Sequence, residues 1–217
     1  IESIPRSGST LLTSLLNQRP DTYASNTSNL CDMIYAFNCL WETNTANLVA
    51  KRDGLTEEEC ILLLQKQRYS KINKPIIFDK GRGWSGLIDI MSKVQNEIKI
   101  VATVRPINEC ISSLIKLAKP DNISQFLSLK NGFVQQQLLS SYNELKKDYE
   151  KYPDKFLLIE YSDLVNHTQK QMDRISDFIG ADKFIHDLDN VPPSTEEDRI
   201  WGITDLHKIR SKVAKQE

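Results

Sequence analysis

Five residues near the front of the chain, Arg6-Ser7-Gly8-Ser9-Thr10, have the composition of an anion grip. An apolar lead, residues 1–4, precedes them. Leu11, Leu12, Leu15 and Leu16 follow at helical spacing. A strand, a tight turn and a helix start bring successive backbone N–H groups together, and the positive end of the helix adds to their pull on a phosphate. Gly8 permits close backbone approach. Ser9 and Thr10 bring hydroxyl donors, Ser7 lies within the turn, Leu11 carries it into the helix, and Arg6 supplies a charged fork.

Other cations and hydroxyls stand in equivalent places. Lys80 follows the apolar stretch at 75–78, Arg105 follows 98–104, and Ser162 follows 156–160.

These residues need elements to position them. Strands are expected at 1–4, 75–78, 98–104 and 156–160, with Tyr161-Ser162-Asp163 as the turn after the last. Helices are expected at 9–17, 29–42, 56–70, 84–94, over most of 121–150, and at 164–179, where Gly180 stops the last one. Thr56 and Glu59 form a capping box, and Pro106 suits the start of a helix. Continuous apolar strands alternating with helices imply an α/β fold whose central parallel sheet is covered on both faces. Ligands of such sheets bind beyond the carboxyl ends of the strands. The basic residues therefore gather on the binding edge. The tail, residues 192–217, is polar and carries no clear pattern.

The bulk numbers set limits. A chain of 217 residues fits one domain, 1–217. A net charge of −1 argues against a nucleic-acid binder. No apolar run approaches the ~18–20 residues of a membrane span. Cys31, Cys39, Cys60 and Cys110 show no metal-ligand spacing, and no metal is expected. Unpaired thiols point to a reducing, cytoplasmic compartment. The motif begins so close to Ile1 that upstream residues of the first strand are expected to be missing, which leaves a lumenal location open. Sequons at Asn26, Asn122 and Asn166 are weak evidence for secretion.

A nucleoside-triphosphate loop would read G-x-x-x-x-G-K-[ST]. Here Ser9 stands in the place of the Lys and Ser3 in that of the first Gly. An ATP/Mg²⁺-dependent, kinase-like phosphotransferase is thus the second reading, resting on Asp79 as an imitation of a magnesium-binding acid. A nucleotide-binding module without turnover is the third.

Three stretches resemble the sulfotransferase family, whose members move a sulfuryl group from 3′-phosphoadenosine 5′-phosphosulfate (PAPS) and release PAP. Residues 5–12, PRSGSTLL, resemble its 5′-phosphosulfate loop in the variant with Arg for Lys. Val104-Arg105-Pro106 with Ser113 resembles its 3′-phosphate motif. Residues 158–164, LIEYSDL, with the later Phe178-Ile179-Gly180, resemble its late strand and helix. The resemblance implies a P-loop-like three-layer α/β/α domain. It makes PAPS the co-substrate, without a metal. The acceptor would be a small molecule or saccharide offering a hydroxyl or amine. Arg6 and residues 7–11 would hold the phosphosulfate, Arg105 and Ser113 the 3′-phosphate, and Lys80 would reach the bridging oxygen or sulfuryl group. The segment 201–210 corresponds to the family's closing loop, with Arg210 and Lys212 candidates for the 3′-phosphate. The pattern departs at the base: Arg82 stands where some members place His, and residues 24–28 hold no acid where others place Glu. Asp79, Asp32 and His207 remain the candidates.

Overall fold

A computed structural model describes residues 1–128, 134–193, 198, 200 and 207–213. Among the described residues, five short strands alternate with helices. They are β1 (Glu2–Ser3), β2 (Thr22–Ala24), β3 (Ile76–Phe78), β4 (Ile100–Val104) and β5 (Phe156–Glu160). The helices between β1 and β3 are α1 (Ser9–Leu16), α2 (Leu30–Thr43), α3 (Thr45–Arg52) and α4 (Glu57–Arg68). Those from β3 onward are α5 (Ile88–Val94), α6 (Ile107–Ala118), α7 (Ile123–Ser128), α8 (Ser140–Lys151), α9 (Tyr161–Asn166) and α10 (Thr168–Ile179). A π-helical turn, Val134–Leu139, leads into α8.

β4 lies between β1 and β5, and β3 pairs with β2, every pair being parallel. Ile1 joins the two groups. Its backbone N–H donates to the Asp79 carbonyl, and its carbonyl accepts from Gly81 N at 3.2 Å. The strands thus run in the order β2, β3, β1, β4, β5. From β1 the chain crosses to the edge at β2 and returns to β3 beside β1, then passes to β4 and β5 on the other side. The loops after β1 and β4 flank the point where the winding reverses, which is where open α/β sheets bind ligands. Arg6 follows β1 and Arg105 follows β4.

Alternation along β4 divides the core. Val101 packs with Leu12, Leu15 and Leu16 of α1 and with Met172 and Ile175 of α10. Ile100 and Ala102 pack with Cys110 and Leu114 of α6 and Leu145 of α8. Helices α2, α4 and α5 form a third cluster through Ile34, Ile61 and Met91. Fully burying each large aliphatic side chain contributes about 2 kcal/mol, and this fixes α1 and α6 on opposite faces of the sheet.

The structure differs from the sequence reading in four places. β2 has three residues and no apolar run, so periodicity does not find it. α3 buries no side chain and is held at its start by Asn44, whose side chain accepts from Ala46 N. Residues 161–163 form the first turn of α9 rather than a free turn. The expected helix at 164–179 is broken at His167 into α9 and α10. The Thr56–Glu59 capping box forms in both directions.

β1 carries an unusual core residue. Glu2 is buried, its carboxylate accepting from Ser85 N at 3.1 Å and Ser3 N at 3.2 Å. Burial pushes its carboxyl up to about 7, although the Ser85 and Ser3 amides favour the charged form. A carboxyl raised in the folded state stabilises the fold only while protonated. Stability therefore falls as pH climbs from 4.5, its ordinary value, to about 7. Glu2→Gln removes this term. Urea midpoints at pH 5 and pH 8 should move in the variant's favour by about 2–3 kcal/mol relative to the parent chain. An unchanged difference between the two pH values would show that Glu2 is not charged on this schedule.

Candidate active site

The turn after β1 is built from two left-handed residues, Arg6 at φ 67° and Gly8 at φ 95°. Ser7 between them is fully buried and turned inward. Its N–H and hydroxyl both donate to the Ile4 carbonyl, at 3.3 and 2.7 Å, and the hydroxyl lies 2.7 Å from Thr103 Oγ1 of β4. Ser7 therefore shapes the loop, and the expectation that it grips an anion finds no support in its hydrogen bonds. Gly8 is the N-cap of α1 and offers no capping side chain. The amides of Ser9, Thr10 and Leu11 sit in the helix's first turn, where N–H groups have no partner within the helix. No acidic residue occupies that turn. Its positive potential is directed beyond the sheet edge.

Tyr161 organises the neighbourhood. It starts α9 directly after β5. A Cβ on Gly8 would lie 2.5 Å from Tyr161 Cδ2, so the ring fills the space a side chain would take. The Arg105 guanidinium stacks on the same ring, Cζ 4.2 Å from its centroid. Arg105 also donates from Nε to Glu109 Oε2 at 2.9 Å and from Nη1 to the Arg6 carbonyl at 3.3 Å. One aromatic ring thereby ties together the ends of β1, β4 and β5.

The expected partner of Ser113 changes. Arg6, not Arg105, reaches it: Arg6 Nε donates to Ser113 Oγ at 3.0 Å. The left-handed backbone at Arg6 sends its side chain toward α6, while Arg105 folds onto Glu109 one turn along its own helix. Arg6, Arg105 and Ser113 still form one cluster. Burial lowers the Arg6 pKa, and so does the like charge of Arg105. Two guanidinium groups held this close favour an anion between them.

Lys80 is buried at the end of β3. Asp79 beside it is engaged on both oxygens. Oδ2 accepts from Ser28 Oγ at 2.5 Å and from the Tyr69 hydroxyl, and Oδ1 accepts from Trp84 Nε1 at 2.8 Å. Three neutral donors make Asp79 an anchor for α2, α4 and the loop after β3. This replaces its expected role as a base. Asp32 is exposed in the first turn of α2.

Residues 201–206 of the expected closing segment lie outside the described residues, while His207 and Arg210 lie within them. Val191 N donates to Ser211 O at 2.7 Å, and Val213 N to Leu188 O at 2.9 Å. Arg210 is exposed on this stretch, and Lys212 pairs with Asp189. Among the described contacts neither meets Arg105 or Ser113. His207 is placed differently. Its Nδ1 lies 2.7 Å from Oδ1 of Asp198, a buried carboxylate that also accepts from His207 N at 3.0 Å. Asp198 in turn lies within electrostatic reach of Arg6. The sequence reading missed Asp198 and the packing role of Tyr161. No local pattern marks a carboxylate nine residues before a histidine as its partner.

A family model described as the sulfotransferase family matches residues 1–185. The chain belongs to the sulfotransferase family. Among solved structures, this sulfotransferase is similar to the "Sulfotransferase Domain from the Synechococcus PCC 7002 Olefin Synthase", with a TM-score of 0.58 and 18% identity over 99% of this chain and 88% of that one. It is also similar to the "Sulfotransferase Domain from the Curacin Biosynthetic Pathway", with a TM-score of 0.56 and 18% identity over 83% of this chain and 72% of that one. At this identity the likeness speaks for the fold alone. No curated protein matches the sulfotransferase chain.

The Gly8 packing can be tested on the unliganded protein. Gly8→Ala combines left-handed strain with a collision against the Tyr161 ring. It should lower stability by at least about 2 kcal/mol in urea unfolding. A parent-like midpoint would mean that the ring does not sit against this turn.

Proposed function

We propose that this sulfotransferase uses PAPS as donor and transfers its sulfuryl group in line to a hydroxyl or amine acceptor. The observation that carries the reading is the paired guanidinium cluster, Arg6 with Arg105, at the reversal point of the sheet beside the uncapped start of α1. PAPS bears two anionic centres, a 5′-phosphosulfate and a 3′-phosphate. The first-turn amides of Ser9, Thr10 and Leu11 suit the phosphosulfate. Arg105 and Ser113, bridged by Arg6, suit the 3′-phosphate.

In the transfer, the acceptor oxygen or nitrogen forms a bond to sulfur as the bond from sulfur to the phosphate oxygen breaks. PAP leaves with the electron pair of that bond. Positioning and charge stabilisation supply most of the catalysis in such loose transfers. Arg6 and Lys80 stabilise the charge that grows on the leaving phosphate. The proton lost by the acceptor passes to His207, whose ring is held through Nδ1 by Asp198. Asp79, already accepting from Ser28, Tyr69 and Trp84, is left out of this step. Its engagement also removes the main support for an ATP/Mg²⁺ enzyme. The acceptor is a small molecule or saccharide that presents its nucleophile above the strand ends.

Thermal unfolding with PAP, with ATP–Mg²⁺ and with buffer separates the readings. PAP should raise Tm and ATP–Mg²⁺ should not; the reverse result would sink the PAPS reading. Arg105→Ala should weaken PAP binding by more than tenfold, since it removes a charge-assisted contact. Unchanged affinity takes Arg105 out of the site. Release of labelled sulfate from PAPS to an acceptor panel tests turnover, and complete silence would favour a binding module. For the base, kcat/KM should change its pH dependence in His207→Asn. Superimposable profiles would exclude His207.

A further inference from the structure

The loop after β2, Ser25-Asn26-Thr27-Ser28, has no acid and no part in the chemistry above. Its hydrogen bonds nevertheless converge on Lys80. Ser25 Oγ accepts from Lys80 N at 2.8 Å, and Ser28 N donates to the Lys80 carbonyl at 2.9 Å. Both ends of the Lys80 main chain are thus held by one loop. Ser25 N donates to the Phe78 carbonyl at 2.9 Å, which continues the β2–β3 ladder to the site. Ser28 Oγ donates to Asp79 Oδ2 and accepts from Leu30 N at 3.1 Å, joining β3 to the start of α2. Asn26 Oδ1 accepts from Thr13 Oγ1 of α1 at 3.3 Å, so the same loop leans on the helix whose first turn faces the donor. Ser25 is 1% exposed and Ser28 7% exposed, so water cannot readily replace either partner.

Lys80 itself is 8% exposed. A buried ammonium on a four-carbon stem acts as a point charge, and its value to a transition state depends on where its main chain is fixed. We infer that Ser25 and Ser28 are positioning residues: they clamp the Lys80 peptide so that its ammonium points at the group being transferred. This rests on the reading that Lys80 meets the sulfuryl group or its bridging oxygen. The serines act through Lys80 and touch neither donor nor acceptor.

Ser25→Ala, Ser25→Thr, Ser28→Ala and Lys80→Met, with the Ser25→Ala/Lys80→Met double variant, provide the test. Two measurements are made on the full chain. The first is kcat and KM for PAPS turnover. The second is the pH profile of Lys80 acetylation by acetic anhydride, read by mass spectrometry on the unliganded protein. Ser25→Ala should lower kcat by about tenfold or more with PAP affinity changed less than twofold, and it should shift the Lys80 acetylation profile. Ser28→Ala keeps its N–H on the Lys80 carbonyl and loses only the hydroxyl contacts to Asp79 and Leu30, so it should move both readouts less than Ser25→Ala does. Ser25→Thr, which keeps the hydroxyl, should restore both. The double variant should be no slower than Lys80→Met alone, because the serine has nothing left to aim. An unmoved acetylation profile, or losses that multiply in full with Lys80→Met, would overturn the clamp. If Ser25→Ala does not fold, Ser25→Cys, a poorer acceptor of similar size, decides by the same readouts. A parent chain without turnover refutes the PAPS reading, while the acetylation profiles still decide the clamp.

Discussion

The packing of the Tyr161 ring between Gly8 and Arg105 is the constraint on which the site depends. Three strand ends meet there, and each contributes something the others need. β1 gives a turn whose glycine leaves room for the ring. β4 gives a guanidinium that lies flat on the ring. β5 delivers the ring, because α9 begins directly after its last residue. Stacking fixes the Arg105 fork without consuming all its donors, and the carbonyl it holds belongs to Arg6. A charge that would otherwise sweep a wide cone is confined to one side of the turn.

A second layer of polar contacts supports the other arm. Lys80, Asp79 and the loop at 25–28 are bound to one another and to Tyr69 and Trp84, and Glu2 beneath them holds the Ser85 amide. These groups are largely shielded from water, so each hydrogen bond is costly to leave unmade. The consequence is order: the end of β3 has few alternative arrangements. The thiols nearby take no part. Burial pushes Cys31 and Cys110 each up to about 11, which keeps them protonated and unreactive.

Much of this was legible in the sequence, and the limits have physical causes. The strand-turn-helix at residues 1–16, the strands β3, β4 and β5, the Thr56 capping box and the α/β class follow from apolar periodicity and local end signals. These patterns are strong because burial enforces them. The gathering of Arg6, Lys80 and Arg105 on one edge also followed, since parallel strands place their following residues together. β2 and α3 escaped because neither carries an apolar run. The exchange of Ser113's partner from Arg105 to Arg6 was not readable, for it depends on a left-handed arginine that propensity does not foresee. Asp79 misled for a related reason. Its neighbours in sequence suggest a free carboxylate, while its actual partners, Ser28 and Tyr69, come from elements 51 and 10 residues away.

Arg6 adopts a backbone conformation that suits glycine, at a cost on the order of 1 kcal/mol. Glycine at that position would relax the turn and discard the guanidinium. Selection for thermal robustness alone would therefore drift toward an emptier loop, and only a screen that also rewards anion capture would retain the arginine. In any library built on this chain, position 6 is where gains in melting temperature should be trusted least.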